Sequence, residues 1–335
     1  MSIQQNELKL YKAAQNSNVA AANGGVASYD EIISGVNNNL LPDVSQAERI
    51  AGITHFRKVF YRNLNEANLS LLNARVFMEN YTPADDAVYL HAGSFAELQS
   101  QLTGTEPLYG CAKLDANVAA GASHVDVLLE QASVQFFHSA DTVRISNKAS
   151  IDASGAEEFV ALDPDTPPVI AGSVVTLTFL TPLANSYLAS NTRVANCLQH
   201  GTMEAFVSET SVTSSGSGAY DDVESPLTGD NLGTVYDAWT ITFTDGSAFI
   251  CVGARTGSVG AGVTGVDYTP INHTTTRPFF VMLAGGFSGA WQAGDTITFD
   301  TEPASIPFWV KRIVPPNCAA YAGDKAVISL DGETA

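Results

Sequence analysis

Between Gly294 and Leu330 apolar and polar residues alternate with a period of two. Ile297, Phe299 and Thr301 fall on one side and Thr296, Thr298 and Asp300 on the other, the pattern of a strand with one dry and one wet face. Pro303 and Pro307 interrupt it, Phe308–Val314 reads as a second strand stopped by Pro315-Pro316, and Ala326–Leu330 reads as a third. Three short strands cannot close a core alone, so they require partners. Matching segments lie far back, between Phe56 and Leu90, and the middle of the chain is therefore expected as an insertion between two halves of one framework.

The front half supplies three strand-like stretches, His55–Arg62, Leu72–Phe77 and Val88–Leu90, preceded by Asp43 or Ser45 as a cap for a short helical turn. Residues 1–40 read as an extended N-terminal arm. Glu7–Ala14 has two turns of helix-compatible sequence, but Asn16, Asn18, Asn23-Gly24-Gly25 and Asn37-Asn38-Asn39 oppose a helix. Such an arm is either mobile or clamped by another subunit.

The expected fold class is mainly β: a multi-domain β-sandwich or β-barrel protein with a discontinuous framework domain and inserted β modules. The framework takes residues 41–106 and 290–335. Residues 107–200 form one compact barrel or sandwich, from strand-like runs at 123–128, 136–146, 157–162, 174–179 and 193–198. Residues 201–289 form a second module. It opens on the Ser/Thr/Gly-rich loop 209–218 and contains a hairpin, Ala238–Thr244 and Ser247–Val252, around Asp245-Gly246, a pair that favours a tight primed turn. Phe279–Leu283 adds a strand.

A chain of 335 residues exceeds what one core usually serves, and 45% apolar with 15% charged residues is a folded composition. No apolar run is long enough to cross a bilayer, and Met1–Glu7 lacks the features of a signal peptide, so folding in a cytoplasm is expected. The net charge of −19 argues against nucleic acid as partner, because phosphate binding is led by Lys and Arg. Residues 96–290 hold 20 acids against 6 bases while residues 40–95 hold 6 against 5, which makes the near-neutral part the place where copies or neighbours pack. The alternative is that the acidic middle is an ordinary solvated surface.

Chemistry-bearing motifs are few. Cys111, Cys197, Cys251 and Cys318 have no close pair, so buried free thiols are expected. Gly257–Gly262 is followed by no helix that could cradle a phosphate and reads as a flexible loop. The six histidines show neither an i,i+4 pair nor HExxH, and Asp85-Asp86, Asp163/Asp165 and Asp221-Asp222 lack the closing Glu of a calcium loop. Gly286-Phe287-Ser288-Gly289-Ala290 breaks the nucleophile elbow at its last position. No catalytic residue, metal ligand or cofactor is expected.

Several patches carry a resemblance. Pro42–Ser45 through Glu48-Arg49, Gly52, Thr54, Phe56–Phe60 and Asn63 form the first. Phe137–Ser146 with Glu158–Val160, and Asn231–Phe243, follow. The last runs from Gly294–Phe299 through Pro303-Ala304, Pro307, Trp309, Lys311-Arg312 and Val314-Pro315. Together they resemble virion structural proteins of tailed bacteriophages, especially those with Mu-like structural modules. The resemblance implies a non-enzymatic, multi-copy building block of the tail, baseplate, neck or capsid exterior, made in the host bacterial cytoplasm and assembled with copies of itself and neighbouring virion proteins. On that reading Arg57, Lys58, Arg62, Lys311 and Arg312 are candidates for inter-subunit ion pairs, and Phe308 and Trp309 for packing anchors. The bland alternatives are a wet strand face for the cations and the domain's own core for Trp309. A receptor- or glycan-binding module at a tail tip requires Trp239, Trp291 or Tyr220 to line an exposed groove. Capsid decoration and cell-wall hydrolysis are the remaining alternatives, the last without a recognisable nucleophile.

Overall fold

The computed structural model describes residues 2–130 and 134–335. Its framework is a two-sheet sandwich. Strand Ser305–Val314 lies between Ile53–Asn63 and Ala87–Ala92, antiparallel to both and in unbroken register with the former from Ser305 opposite Arg62 to Val314 opposite Ile53. Pro307, which has no N–H to give, precedes the point where pairing to Ala87–Ala92 begins at Phe308, so no ladder bond is lost there. The opposing sheet orders Leu198–Met203, Leu71–Asn80 and Val327–Thr334. Between the sheets Val59, Tyr61, Phe308 and Val310 meet Val76, Phe77, Met78 and Leu198, all buried. Each such side chain contributes roughly 1.5–3 kcal/mol by leaving water. The framework is thus discontinuous, its first and last strands sharing one interior.

Residues 1–40 depart from the arm expected of them. Leu8–Gln15 adds to the edge of Ile53–Asn63 and turns back as Gly24–Glu31, so the clamp is the chain's own framework. Lys9–Glu31 and Lys12–Asp30 ion pairs join the two strands. Gly24 marks the tightest approach: its φ is +114°, and a Cβ there would lie 2.6 Å from the Glu97 carbonyl and 2.9 Å from the Trp309 ring. Gln46–Ala51 is the capped helical turn expected before the first framework strand. Ser45 accepts from Glu48 N–H while the Glu48 carboxylate receives the Ser45 N–H.

The first insertion is a seven-stranded antiparallel sheet running, edge to edge, Val169–Ala171, Val174–Thr178, His124–Leu128, Cys111–Leu114, Arg193–Asn196, Thr142–Ser146 and Glu157–Ala161. Its core gathers Val127, Val143, Ile145, Leu177, Val194, Phe136 and Phe137. Phe136 and Phe137 precede the strand at Thr142 rather than belonging to it. The chain leaves through Cys197 and enters the framework sheet at once as Leu198–Met203.

The second insertion pairs, in order, Phe206–Val207, Thr296–Glu302, Asp237–Phe243, Ala248–Gly253 and Gly257–Val263, with Ser211–Thr213 also on Thr296–Glu302. None of these sheets closes into a barrel. Four expectations need correction. Thr296–Glu302 belongs to this module, not to the framework: it pairs with Asp237–Phe243 along its length, Trp239 donates to Thr301 Oγ1 at 2.8 Å, and only Pro303-Ala304 separates it from the framework strand. The hairpin at Asp245-Gly246 exists without a primed turn, since neither residue has positive φ. Asp245 Oδ1 instead accepts from the N–H groups of Ser247 and Ala248. Gly257–Val263 is an edge strand rather than a loop; Gly262 packs directly over Phe249 and Tyr268, where a Cβ would clash at 2.5 Å. Phe279–Leu283 buries Phe279, Phe280 and Met282 but pairs only through isolated bridges at Val281 and Met282.

Candidate functional site

Of the residues expected at subunit contacts, Arg57, Lys58, Arg62, Phe308, Trp309 and Arg312 are buried within their own chain and Lys311 is half-buried. Phe308 stacks on Tyr61 inside the sandwich. Arg57 donates to Ser17 O and Asn18 Oδ1, and Arg312 to Pro42 O and His55 Nδ1. Lys58 donates to the Glu97 carbonyl, beside the rings of Phe60 and Trp309, and burial lowers its pKa to about 8. Arg57 and Arg62 are covered by the N-terminal hairpin, Lys58 by the 93–101 segment and Arg312 by Pro42 and His55, so these four are neither a wet strand face nor an open docking face. The aromatics expected to line a groove are also interior: Trp239, Trp291 and Tyr220 are core residues of the second module, with Trp291 stacked on Phe243 at 4.0 Å.

A cleft of about 1180 Å³ lies where the N-terminal hairpin meets the second module. The framework side contributes Tyr29, Phe60 and Arg62; the module side contributes Tyr236, Arg255 and the 267–274 segment, with Phe95 between. Phe95 and Tyr236 stack at 5.3 Å with 14° between planes, and the Arg255 guanidinium lies 5.5 Å from the Tyr236 ring. Asn272 ties the two sides together, donating to both Tyr29 Oη and Gly233 O at 3.0 Å. Thr256, Thr269 and Thr274 add hydroxyls.

Arg62 is the chemically distinctive wall. It is 5% exposed, and its guanidinium carbon sits 5.3 Å from the Tyr11 ring and 5.6 Å from the Tyr29 ring. Its Nε is closed off without a partner, and among the described residues no hydrogen-bond acceptor or carboxylate meets the guanidinium. Burial lowers its pKa, partly offset by the two tyrosines. The sequence marked Arg62 as a cation on a framework strand. It gave no sign of Tyr29, Phe95 or Tyr236 beside it, because those residues come from three separated segments.

Cys111, Cys197 and Cys251 are buried free thiols, pushed up to about 12 by desolvation and therefore inert as nucleophiles at neutral pH; Cys318 is free and partly exposed. Among the described residues no three His, Cys, Asp or Glu side chains converge as a metal group, and no helix is long and apolar enough to cross a membrane. No protein-family model matches the chain, and no curated protein matches it.

Proposed function

We propose that this chain is a non-enzymatic structural subunit of a tailed-bacteriophage virion, made in the host cytoplasm and present in several copies in the tail, baseplate or neck. The phage assignment rests on the sequence resemblance. The observation that supports self-association is the outer face of the six-stranded sheet in the second module. Across that face the cross-strand neighbours Thr213, Thr296, Thr242, Ile250 and Ala261 form one row, and Ser211, Thr298, Thr240, Val252 and Ser258 the next. Ten adjacent positions carry no charge, in a chain with net charge −19. Ile250, Val252 and Val263 are exposed there, and Gly257–Val263 leaves one edge of the sheet unpaired.

Two copies of so acidic a chain repel over most of their surface, and contact is least costly where the charge is missing. A β-branched face beside a free edge is also a surface that strands of another copy can cover or extend. The test is light scattering and sedimentation at micromolar concentration, alone and with neighbouring virion proteins. The expected result is an oligomer that reverts to monomer in the Ile250→Asp, Val252→Asp double variant. A monomer in both settings overturns the proposal.

A further inference from the structure

We propose that the cleft between the N-terminal hairpin and the second module binds an acidic saccharide, whose carboxylate is received by the Arg62 guanidinium. This goes beyond the structural role and does not depend on it. The anion is called for by Arg62 itself. A guanidinium presents five donors, and on Arg62 the Nε donor is enclosed without an acceptor while the rest of the group faces the cleft with no protein acceptor on it. Elsewhere in this chain enclosed guanidinium groups keep at least one partner, even where one nitrogen is left over as on Arg57, Arg144 and Arg312: Arg57 and Arg312 donate to backbone and side-chain acceptors, and Arg144 pairs with Glu157. Arg62 instead has the rings of Tyr11 and Tyr29 beside it and the cleft it lines. A guanidinium held near two ring faces and open to a cleft is a receptor for a carboxylate, which it matches in a two-pronged geometry.

The remaining walls select the body of the ligand. The stacked Phe95–Tyr236 pair offers an aromatic face to the C–H side of a sugar ring, and Thr256, Thr269 and Thr274 offer partners for its hydroxyls. Arg255 on Tyr236 supplies a second cation at the exposed end. Asp267, the lining carboxylate, is engaged through Oδ1 by the Ala284 N–H at 2.8 Å. A nucleic acid is disfavoured by the charge of the whole chain, whereas a single ring carboxylate needs only the local cations.

The test is calorimetric and saturation-transfer NMR titration of the full chain with a glucuronic-acid-containing tetrasaccharide, its carboxyl-reduced counterpart, acetate and inorganic sulfate. The acidic saccharide is expected to bind. Carboxyl reduction should weaken it about tenfold or more, the scale of one charge-assisted bidentate pair. Arg62→Lys should do the same, and Tyr236→Ala should weaken binding several-fold. Because Arg62 is enclosed, circular dichroism and the unfolding midpoint accompany its variant. Tyr236→Ala and the reduced saccharide carry the test if Arg62→Lys fails to fold. The proposal is overturned by absence of saccharide binding at millimolar concentration, by equal affinity for the reduced form, or by binding unchanged in Tyr236→Ala. It is also overturned if acetate and sulfate bind as tightly as the saccharide, or if the Tyr236 variant alters oligomeric state instead, which assigns the cleft to a second copy.

Discussion

The Trp309 indole N–H donates to Glu97 Oε1 at 2.7 Å, joining positions 212 residues apart. Trp309 is fully buried, His91 stacks on it at 6.1 Å, and Gly24 of the N-terminal hairpin touches its far edge. One side chain therefore connects the last framework strand, the 93–101 segment and the hairpin. Trp309→Phe keeps most of the apolar bulk but removes this bond and leaves Glu97 Oε1 with the Ser94 N–H alone, and a loss of about 1–3 kcal/mol is expected in urea unfolding. Glu97→Gln should cost less, because an amide oxygen still accepts from the indole. A double-mutant cycle between the two positions measures the bond, and a coupling near zero removes it from the account.

Lys58 lies in the same layer, and its burial makes stability depend on pH. Below its folded value of about 8 the ammonium is charged in both states and the full desolvation cost is present. Above about 8 the folded chain releases the proton, while the unfolded chain holds it to near 10.5, so the unfolded state binds more protons and stability rises with pH across that window. The gain is roughly 2–3 kcal/mol on the scale of 1.36 kcal/mol per pKa unit. Comparing Lys58→Met with the parent between about pH 7 and about pH 10 isolates it. The variant should be the more stable near neutrality, with the gap closing as pH rises, and a gap that stays constant refutes the assignment.

How far the sequence could be read depended on the range of the information. Alternation at Thr296–Asp300 identified a strand and its dry face, because side-chain direction is set by the pleat of the strand itself. It carried nothing about the partner, and the framework assignment failed there: the two-residue link Pro303-Ala304 hides the passage between modules. The pairing of Ser305–Val314 with the front of the chain followed from the need of isolated strands for a sheet. Arg57, Lys58, Arg62 and Arg312 were legible as a cationic group, but as surface, because Lys and Arg are rarely enclosed. Arg57 and Arg62 are enclosed by the hairpin at Leu8–Glu31, whose asparagines and glycines read as opposing a helix in an arm either mobile or clamped by another subunit, and which makes close approaches such as Gly24 on Trp309; Lys58 is met by Glu97 and Arg312 by Pro42 and His55. The cleft was illegible because Tyr29, Phe95 and Tyr236 are ordinary residues until the fold gathers them.

Arg144 couples the first insertion to the framework. It pairs with Glu157 of its own sheet, approaches Glu79 Oε1 of the framework at 3.8 Å, and sits 4.8 Å from the Phe77 ring. Lys148 also meets Glu157, at 2.6 Å. Arg144→Met leaves Glu79 uncompensated in the interior, and an uncompensated buried charge costs about 3–5 kcal/mol. Replacing Glu79 as well, in Arg144→Met, Glu79→Gln, should restore much of that loss. Thermal unfolding of the three proteins decides it, with equal destabilisation in single and double variants as the contrary result.

The framework's dependence on its last strands gives a test of the architecture as a whole. A chain ending after Glu302 keeps all of the seven-stranded and six-stranded sheets but loses Ser305–Val314 and Val327–Thr334. The strands Ile53–Asn63 and Ala87–Ala92 are then left without the partner that lies between them, and Leu71–Asn80 keeps only Leu198–Met203. Phe308, Val310 and Ile306 also leave the shared core, and losing a single large aromatic from such a core already costs about 3–5 kcal/mol. Limited proteolysis of the truncated chain should therefore digest residues 2–92 while protecting fragments spanning 107–196 and 205–302. A synthetic peptide covering 303–335 should restore protection to the front segment, because the missing strands pair through backbone ladders that need no covalent link. Protection of residues 2–92 without the peptide would mean that the front segment closes its own core, and the division of the framework between the two ends of the chain would carry no energetic weight.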